Sequence, residues 1–306
     1  MLTALLSRLG GSAVILVGVS FLTFVLAYVV PADPARTFAG PKADKATLER
    51  IRRETGLDQP LLVQYTRYMT RLARGDLGRS YVTRQSVLDA IVERLPATAF
   101  LALSALALAV GVGVGVGSWT ATRAGQGIDL GVLVISLLCL SLPVFWLGLV
   151  LLYLFGYWLR VLPLGGFSSP LHVILPAVTL GLGSGAYYAR LVHTNLREAM
   201  RSDYIRTAHA KGVPPIAVYG KHALRNALLP LTTLVGLDLA GLLSGVVLTE
   251  TVFNWPGLGR LAVEAVFNQD IPMILGTVLF SAAMVVGANI FVDLLYLVID
   301  PRIRIR

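Results

Sequence analysis

Six stretches of this chain run for about twenty residues or more with at most one charged side chain, a pattern that a membrane accommodates and water does not. They lie at roughly 9–30, 98–121, 130–158, 172–192, 228–249 and 272–296. A hydrocarbon core about 30 Å thick takes about 20 apolar residues at a rise of about 1.5 Å each. Backbone groups cannot stay unpaired in lipid, so each run is predicted to be a helix. Gly111, Gly113, Gly115 and Gly117 alternate with valine as in a strand. Their setting in a long apolar run favours helix.

Composition agrees. Hydrophobic residues make up 56% and charged residues 14%, with mean hydropathy +0.73. A soluble surface uses about 25% charged residues. The fold class is therefore all-α integral membrane protein. Arg8 precedes a charge-free stretch from Leu9 to Ala32. That stretch exceeds the roughly 7–15 residues of a secretory h-region and is read as an uncleaved first span. The one cysteine, Cys139, excludes an intramolecular disulfide and a thiolate cluster.

The net charge of +9 invites a nucleic-acid reading, but its distribution speaks for orientation. Arg8, Arg123, seven basic residues in the Arg190–Arg225 segment and Arg302, Arg304 and Arg306 fall on one side. The short loops opposite hold Arg160 and Arg260. The positive-inside rule places both termini in the cytoplasm and 31–97 outside. Expected divisions are 1–30, first span; 31–97, extracytoplasmic helical segment; 98–298, transmembrane core of helices two to six with a cytoplasmic loop 195–226; and 299–306, tail. In the outer segment Asp44 can cap a helix carrying Leu48 and Ile51 and ending near Gly56. Pro60 can start a second that ends near Gly75. Arg67, Arg71 and Arg74 share a face of it. That face is either solvated or in contact with a partner or lipid headgroups.

Small residues let membrane helices approach closely. Gly241 and Gly245 form a GxxxG pattern in helix five, Gly111–Gly117 supply others in helix two, and Gly181, Gly183 and Gly185 crowd helix four. Asp238 costs roughly 2.5–3.5 kcal/mol on an insertion scale. It either lines a translocation path or hydrogen-bonds a neighbouring helix. Glu250 reads as interfacial, and Asp293 as a snorkelling or capping residue.

The loop between helices four and five is punctuated. Ser202 or Asp203 can cap a short helix, Gly212 can stop it left-handed, and Pro214-Pro215 can start another. The expected result is a basic, amphipathic helix–turn–helix elbow at the membrane surface.

Asp203-Tyr204-Ile205-Arg206-Thr207-Ala208-x-Ala210-Lys211-Gly212, then His222-Ala223-Leu224-Arg225-Asn226-Ala227 and Pro230, resembles the EAA loop of inner-membrane permeases that import peptides, nickel chelates or glutathione. The general form is Glu-Ala-Ala-x3-Gly-x9-Ile-x-Leu-Pro. Arg206-Thr207-Ala208 replaces the triplet, Gly212 is kept, and Leu229-Pro230 comes five residues late, as in the peptide branch. Pro31-Ala32-Asp33-Pro34, Gly56-Leu57-Asp58-Gln59-Pro60, Gly75-Asp76-Leu77-Gly78, Leu95-Pro96-Ala97-Thr98, Phe253-Asn254-Trp255-Pro256-Gly257-Leu258-Gly259-Arg260 and Asp300-Pro301-Arg302-Ile303-Arg304 are similar to family signatures in the family's order.

The resemblance implies a type I ATP-binding-cassette importer permease fold with a small helical extracytoplasmic insertion after helix 1. It implies that Asp203, Tyr204, Arg206, Thr207, Ala208, Ala210, Lys211, Gly212, His222, Arg225 and Asn226 form a coupling element for a separate ATPase. Trp255, Gly257 and Arg260 would meet an extracytoplasmic binding protein. The implied partners are a second similar permease chain, two ATPase subunits that use ATP and Mg, the binding protein and the lipid bilayer of a bacterial inner membrane. No cofactor, metal or nucleic acid is expected on this chain. Small peptides are the first substrate class, with glutathione or a nickel chelate behind.

An intramembrane enzyme is disfavoured, since HExxH, GxSxG, paired catalytic carboxylates and Cys/His constellations are absent. His172, His193, His209 and His222 are scattered, with His209 and His222 on the elbow. Gly181-Leu182-Gly183-Ser184-Gly185-Ala186 fits G-x-G-x-x-A but has no preceding strand. No Walker A motif occurs, so ATP hydrolysis falls to another chain. An ion-coupled secondary transporter would need more than Asp238 at mid-span and visible repeat halves.

Overall fold

A computed structural model describes residues 2–29, 35–36, 43–123, 125 and 127–299. Pro31-Ala32-Asp33-Pro34 and the 300–306 tail lie outside the described residues, as does the Asp293 side chain. The elements are α1 Leu2–Val29, α2 Lys45–Thr55, α3 Leu61–Leu72, α4 Val87–Thr122, α5 Ile128–Ser141 and α6 Val144–Leu151, the last continuing as a π-helix Leu152–Trp158. A 3-10 turn Pro170–Val173 leads into α7 Ile174–Met200. Then come α8 Asp203–Ala210, α9 Pro215–Ala217, a π-helix Val218–Leu224, α10 Arg225–Ala227 and α11 Leu229–Leu243. The chain ends in α12 Val247–Val252, α13 Leu258–Phe267 and α14 Ile271–Ile299.

Among the described residues four helices are long and apolar enough to cross a membrane, and up to six spans result if each of two bent pairs counts as one. The long helices overrun the charge-free runs. α4 begins at Val87 with Pro96 inside it, and α7 reaches Met200. Charge limits contact with lipid but does not limit helicity, so helices project past the bilayer.

Two expectations are corrected. The third span is not one helix: it breaks between Ser141 and Val144 with a 98° bend. Pro143 forces Leu142 into extended backbone, φ −78° and ψ 130°. The fifth helix stops at Leu243, and Gly245 adopts φ +102° outside it. A Cβ on Gly245 would stand 2.8 Å from the Gly259 backbone nitrogen. Gly241 and Gly245 therefore do not form one GxxxG face. Glu250 is fully buried in α12.

Contacts divide the chain into two compact units, one from Met1–Thr98, Leu243–Val247 and Pro256–Arg306, the other from Ala99–Leu242 and Leu248–Trp255. In the first, Asp44 caps α2 by accepting the Thr47 N–H at 3.0 Å, and Gly56 closes it at φ +71°. Hydrogen bonds from Thr47, side chain first and then backbone, hold the Asp44 carboxyl below its ordinary range. α3 packs on α1 through Tyr65, whose ring meets Phe21 and Phe24 edge-on, each at 5.3 Å. Val87, Ile91, Leu258, Leu261 and Met273 form a core that gathers α4, α13 and α14.

In the second unit α4 and α7 cross on small residues. A Cβ on Gly117 would lie 2.5 Å from the Ala189 carbonyl oxygen, and one on Gly181 would lie 2.7 Å from that of Ala105. Gly113 and Gly185 meet the same crossing, whereas Gly111, Gly115 and Gly183 face open space. The facing rows are Ala105, Ala109, Gly113 and Gly117 on α4 and Gly181, Gly185 and Ala189 on α7. Four-residue spacing puts each row on one side of its helix. α5 leaves Leu130, Ile135 and Leu138 exposed, as a surface for lipid requires.

Candidate functional site

The elbow begins where α7 ends. Ser202 occupies the N-cap position of α8, but its hydroxyl donates back to the Ala199 carbonyl at 2.5 Å instead of capping. α8 is amphipathic over two turns. Ile205 and Ala208 point inward onto Leu196 of α7 and onto Val218, Ala223 and Ala227. Asp203, Tyr204, Arg206, Thr207, Ala210 and Lys211 stay exposed. Ala208 is thus a packing residue, not part of the presented surface.

Gly212 ends the first helix at φ +73°. Its N–H donates to the His209 carbonyl at 3.0 Å, and the Val213 N–H reaches back to Ala208 at 3.2 Å. Left-handed backbone costs a residue with a Cβ about 1–2 kcal/mol, which glycine avoids. Pro214 in extended backbone hands the chain to Pro215, the first residue of α9. The return arm then widens into the π-helix Val218–Leu224. That turn buries Val218 and Ala223 and lets the Tyr219 hydroxyl donate to the Ser118 carbonyl at 3.0 Å. Ile216 is 83% exposed at the tip. His222 is half-buried, while Arg225 and Asn226 are exposed beside α11, which bends by 47° from the return arm. The elbow is pinned at its base by apolar packing and by cross-helix hydrogen bonds from Tyr219 to Ser118 and from Asn195 to Ala227, and it offers a polar face with Tyr204 and Ile216 as apolar points.

Beside it lies a polar cluster that the linear pattern did not single out. Asp129 at the start of α5 accepts from Arg197 at 3.0 Å and from the Gly125 N–H at 3.1 Å. Its other oxygen stands 4.0 Å from His193, whose Nδ1 pairs with the Thr120 hydroxyl at 3.0 Å. Arg197 and His193 are four residues apart on α7, so one face presents both. The i,i+4 basic pair on α7 was the available signal in the sequence.

Asp238 on α11 accepts from the Tyr188 hydroxyl of α7 at 2.6 Å. Of its two expected roles, the helix–helix hydrogen bond is made. Trp255 is fully buried, stacked on Phe100 at 6.4 Å and edge-on to Phe167 at 4.8 Å. A side chain with no exposed surface cannot itself touch a docking protein, so its part in any docking is to shape the loop. Gly257 is the N-cap of α13, and Arg260 pairs with Glu264 at 2.7 Å. Among the described residues no group of three or more His, Cys, Asp or Glu side chains is placed to hold a metal.

A family model described as binding-protein-dependent transport system inner membrane component matches residues 113–305, and its N-terminal counterpart matches residues 1–102. A Brucella melitensis protein carrying the name of a peptide transport system permease is 42% identical, with 99% of each chain covered. A Sinorhizobium fredii protein carrying the name of a peptide ABC transporter permease is 40% identical over 98% of each chain. The glutathione transport system permease protein of Escherichia coli is 40% identical over 99% of each.

Proposed function

Because the chain belongs to the family of binding-protein-dependent transport system inner membrane components, we propose that it carries small peptides into the cell as the permease subunit of an ATP-driven importer. The observation that carries the mechanism is the elbow: a short helix with a buried apolar side, closed by a left-handed glycine and offering Asp203, Tyr204, Arg206, Thr207, Ala210 and Lys211 outward. In this reading the elbow seats in a cleft of a separate ATPase that binds ATP and Mg. Closure of an ATPase pair pushes on α8. Ile205 and Ala208 pass the force to Leu196 at the foot of α7 through direct packing. Reorientation follows only if the ATPase contacts one of two permease states better than the other. A second permease chain completes the path, and a substrate-loaded protein docks outside.

The basic residues around the elbow support a cytoplasmic location for it and for both termini. The peptide and glutathione transport names of the relatives support a substrate with a peptide backbone. The test is co-purification with candidate ATPases, followed by substrate-stimulated ATP hydrolysis across peptides, glutathione and nickel chelates. Peptide stimulation supports the reading. Uptake by the lone chain in liposomes, driven by a proton gradient without ATP, would make it a secondary transporter instead. Topology has its own check. In a Cys139→Ser background, a cysteine at Tyr204 should react only with reagents that reach the cytoplasmic side.

A further inference from the structure

A cavity of about 630 Å³ lies within the first unit. Phe24 of α1 and Ile271 of α14 form part of its lining, each near the end of a segment long and apolar enough to cross a membrane. The cavity therefore sits at the depth where lipid phosphates meet the hydrocarbon. Arg67 and Arg71 of α3 and Arg79 of the following loop line it. Among the described residues none of these three arginines forms an ion pair. Arg84 also lines the cavity, as do two carboxylates that are otherwise engaged. Glu54 lies 3.9 Å from Arg50, and Asp76 accepts the Gly78 N–H at 2.8 Å.

A second observation is independent of charge. Tyr68 lines the same cavity at 5% exposure, and its hydroxyl is buried without a hydrogen-bond partner. A buried donor normally has an acceptor, and an orphan marks the place of one. Burial pushes the Tyr68 phenol up to about 12, so at neutral pH it is a donor only to something that accepts. Unpaired guanidiniums and one neutral donor suit a phosphoryl group, whose oxygens accept from planar guanidinium forks. Leu61, Leu62 and Val63 stand exposed on the first turn of α3, an apolar shoulder for acyl chains.

We propose that this cavity binds the phosphate of an anionic phospholipid from the adjoining leaflet, held by Arg67, Arg71 and Arg79 with the Tyr68 hydroxyl as the fourth donor. The site fixes the outer segment to the bilayer surface, and it is independent of what the permease transports.

The test uses the full-length protein in a zwitterionic detergent and native mass spectrometry. Dioleoyl phosphatidylglycerol, dioleoyl phosphatidylcholine and inorganic phosphate are titrated separately. Phosphatidylglycerol should bind at least about tenfold more tightly than phosphatidylcholine, since charge-assisted bonds are the stronger ones. The double variant Arg67→Gln/Arg71→Gln should lose that preference. Tyr68→Phe, which keeps the ring and its packing, should weaken phosphatidylglycerol about threefold, as one lost hydrogen bond does. Arg67→Lys keeps the charge but not the fork and should bind between wild type and the double variant. Unchanged phosphatidylglycerol binding in both the double variant and Tyr68→Phe overturns the proposal, as does equal affinity for the zwitterionic lipid. Inorganic phosphate binding as tightly as the lipid overturns the lipid source. Unchanged lipid binding with lost capture of an extracytoplasmic protein reassigns the arginines to an acidic partner and overturns it too.

Discussion

The Tyr188 hydroxyl donates to Oδ2 of Asp238 at 2.6 Å, and this bond ties the fourth span to the fifth across fifty residues of chain. Tyr188 is almost wholly buried and Asp238 half-buried. A carboxylate in a span belongs against protein, and this one has found a donor. Hydrogen bonds between membrane helices couple by about 0.6 kcal/mol on average and up to about 1.7. A double-mutant cycle of Tyr188→Phe and Asp238→Leu should return a coupling in that range. Asp238→Asn keeps an acceptor and should cost less than Asp238→Leu. Detergent unfolding of the four proteins measures the cycle. Uptake across a peptide panel should show the same substrate ranking for Asp238→Asn and wild type. A changed ranking would put the carboxylate on the transport path.

The crossing of α4 and α7 predicts a sharp contrast between neighbouring glycines. Gly181→Ala drives a methyl against the Ala105 carbonyl, where nothing flexible can yield, while Gly183→Ala points into open space. Overpacking of this kind costs about 1–3 kcal/mol. Gly183→Ala should be neutral or slightly stabilising, because alanine favours helix. The same holds for Gly117→Ala against Gly115→Ala. Thermal midpoints of the four variants decide it. Equal effects within each pair would mean that the two helices do not cross on these faces.

These glycines mark the limit of what the chain shows when read alone. Apolar length alone located the spans, because the bilayer sets a length that no packing detail changes. Which glycines of helix two touch helix four depends on the rotation of both helices, and a run of glycine at every second position carries no phase. The bend at Pro143 was legible in principle, since proline restricts Leu142, but an unbroken apolar run carries no mark of a bend within it. Gly212 and Pro214-Pro215 were legible because each acts on its own backbone. The burial of Trp255 was not. It depends on Phe100 and Phe167, which come from distant stretches and meet only in three dimensions. Asp129 and Asp270 escaped for the same reason.

Asp270 precedes α14 and is 3% exposed. It accepts from the Ser80 hydroxyl and, at 3.0 Å, from the Tyr81 N–H. Ser80 in turn accepts from the Thr83 N–H at 2.8 Å, so one carboxylate holds the tight loop that precedes α4. Asp270→Ala takes the carboxylate acceptor away from the buried Ser80 hydroxyl and the half-buried Tyr81 N–H. A buried donor left without its acceptor costs about 1–3 kcal/mol. The variant should unfold at lower temperature and show faster amide exchange at Tyr81 and Thr83. Asp270→Asn should recover part of the loss, since its amide oxygen still accepts. Unchanged exchange at Tyr81 would remove the clamp.

Asp44 sets a pH dependence with a definite sign. Its pKa is lowered in the folded chain by the Thr47 hydrogen bonds. The cap therefore contributes above the unfolded-state pKa and is lost as pH falls through the folded one. The protection of the Thr47 amide, its exchange rate taken relative to the intrinsic rate at each pH, should fall on acidification. In Asp44→Asn, which caps without ionising, that fall should disappear. Protection that does not change with pH in wild type would mean that the carboxylate does not cap α2 in solution.

The elbow carries the test of the mechanism, because its presented and buried faces separate coupling from stability. Arg206 is 80% exposed and 3.6 Å from Asp203, a surface pair worth little to the fold. Arg206→Glu should leave the thermal midpoint unchanged. Arg206→Glu reverses the charge that the elbow presents, so the same variant should lower transport by at least about tenfold. Ala208→Leu forces extra volume into the packing on Leu196 and should do the reverse, lowering the midpoint first. Gly212→Pro fixes φ near −65° where the chain needs +73°, and it removes the N–H that bonds His209. The turn must then rebuild, and α8 is re-aimed without disturbing the spans. Expression and membrane insertion should persist in Gly212→Pro while transport is lost. ATP hydrolysis by the assembled complex should continue without responding to substrate. Wild-type uptake in both Arg206→Glu and Gly212→Pro would show that force does not pass through this bend.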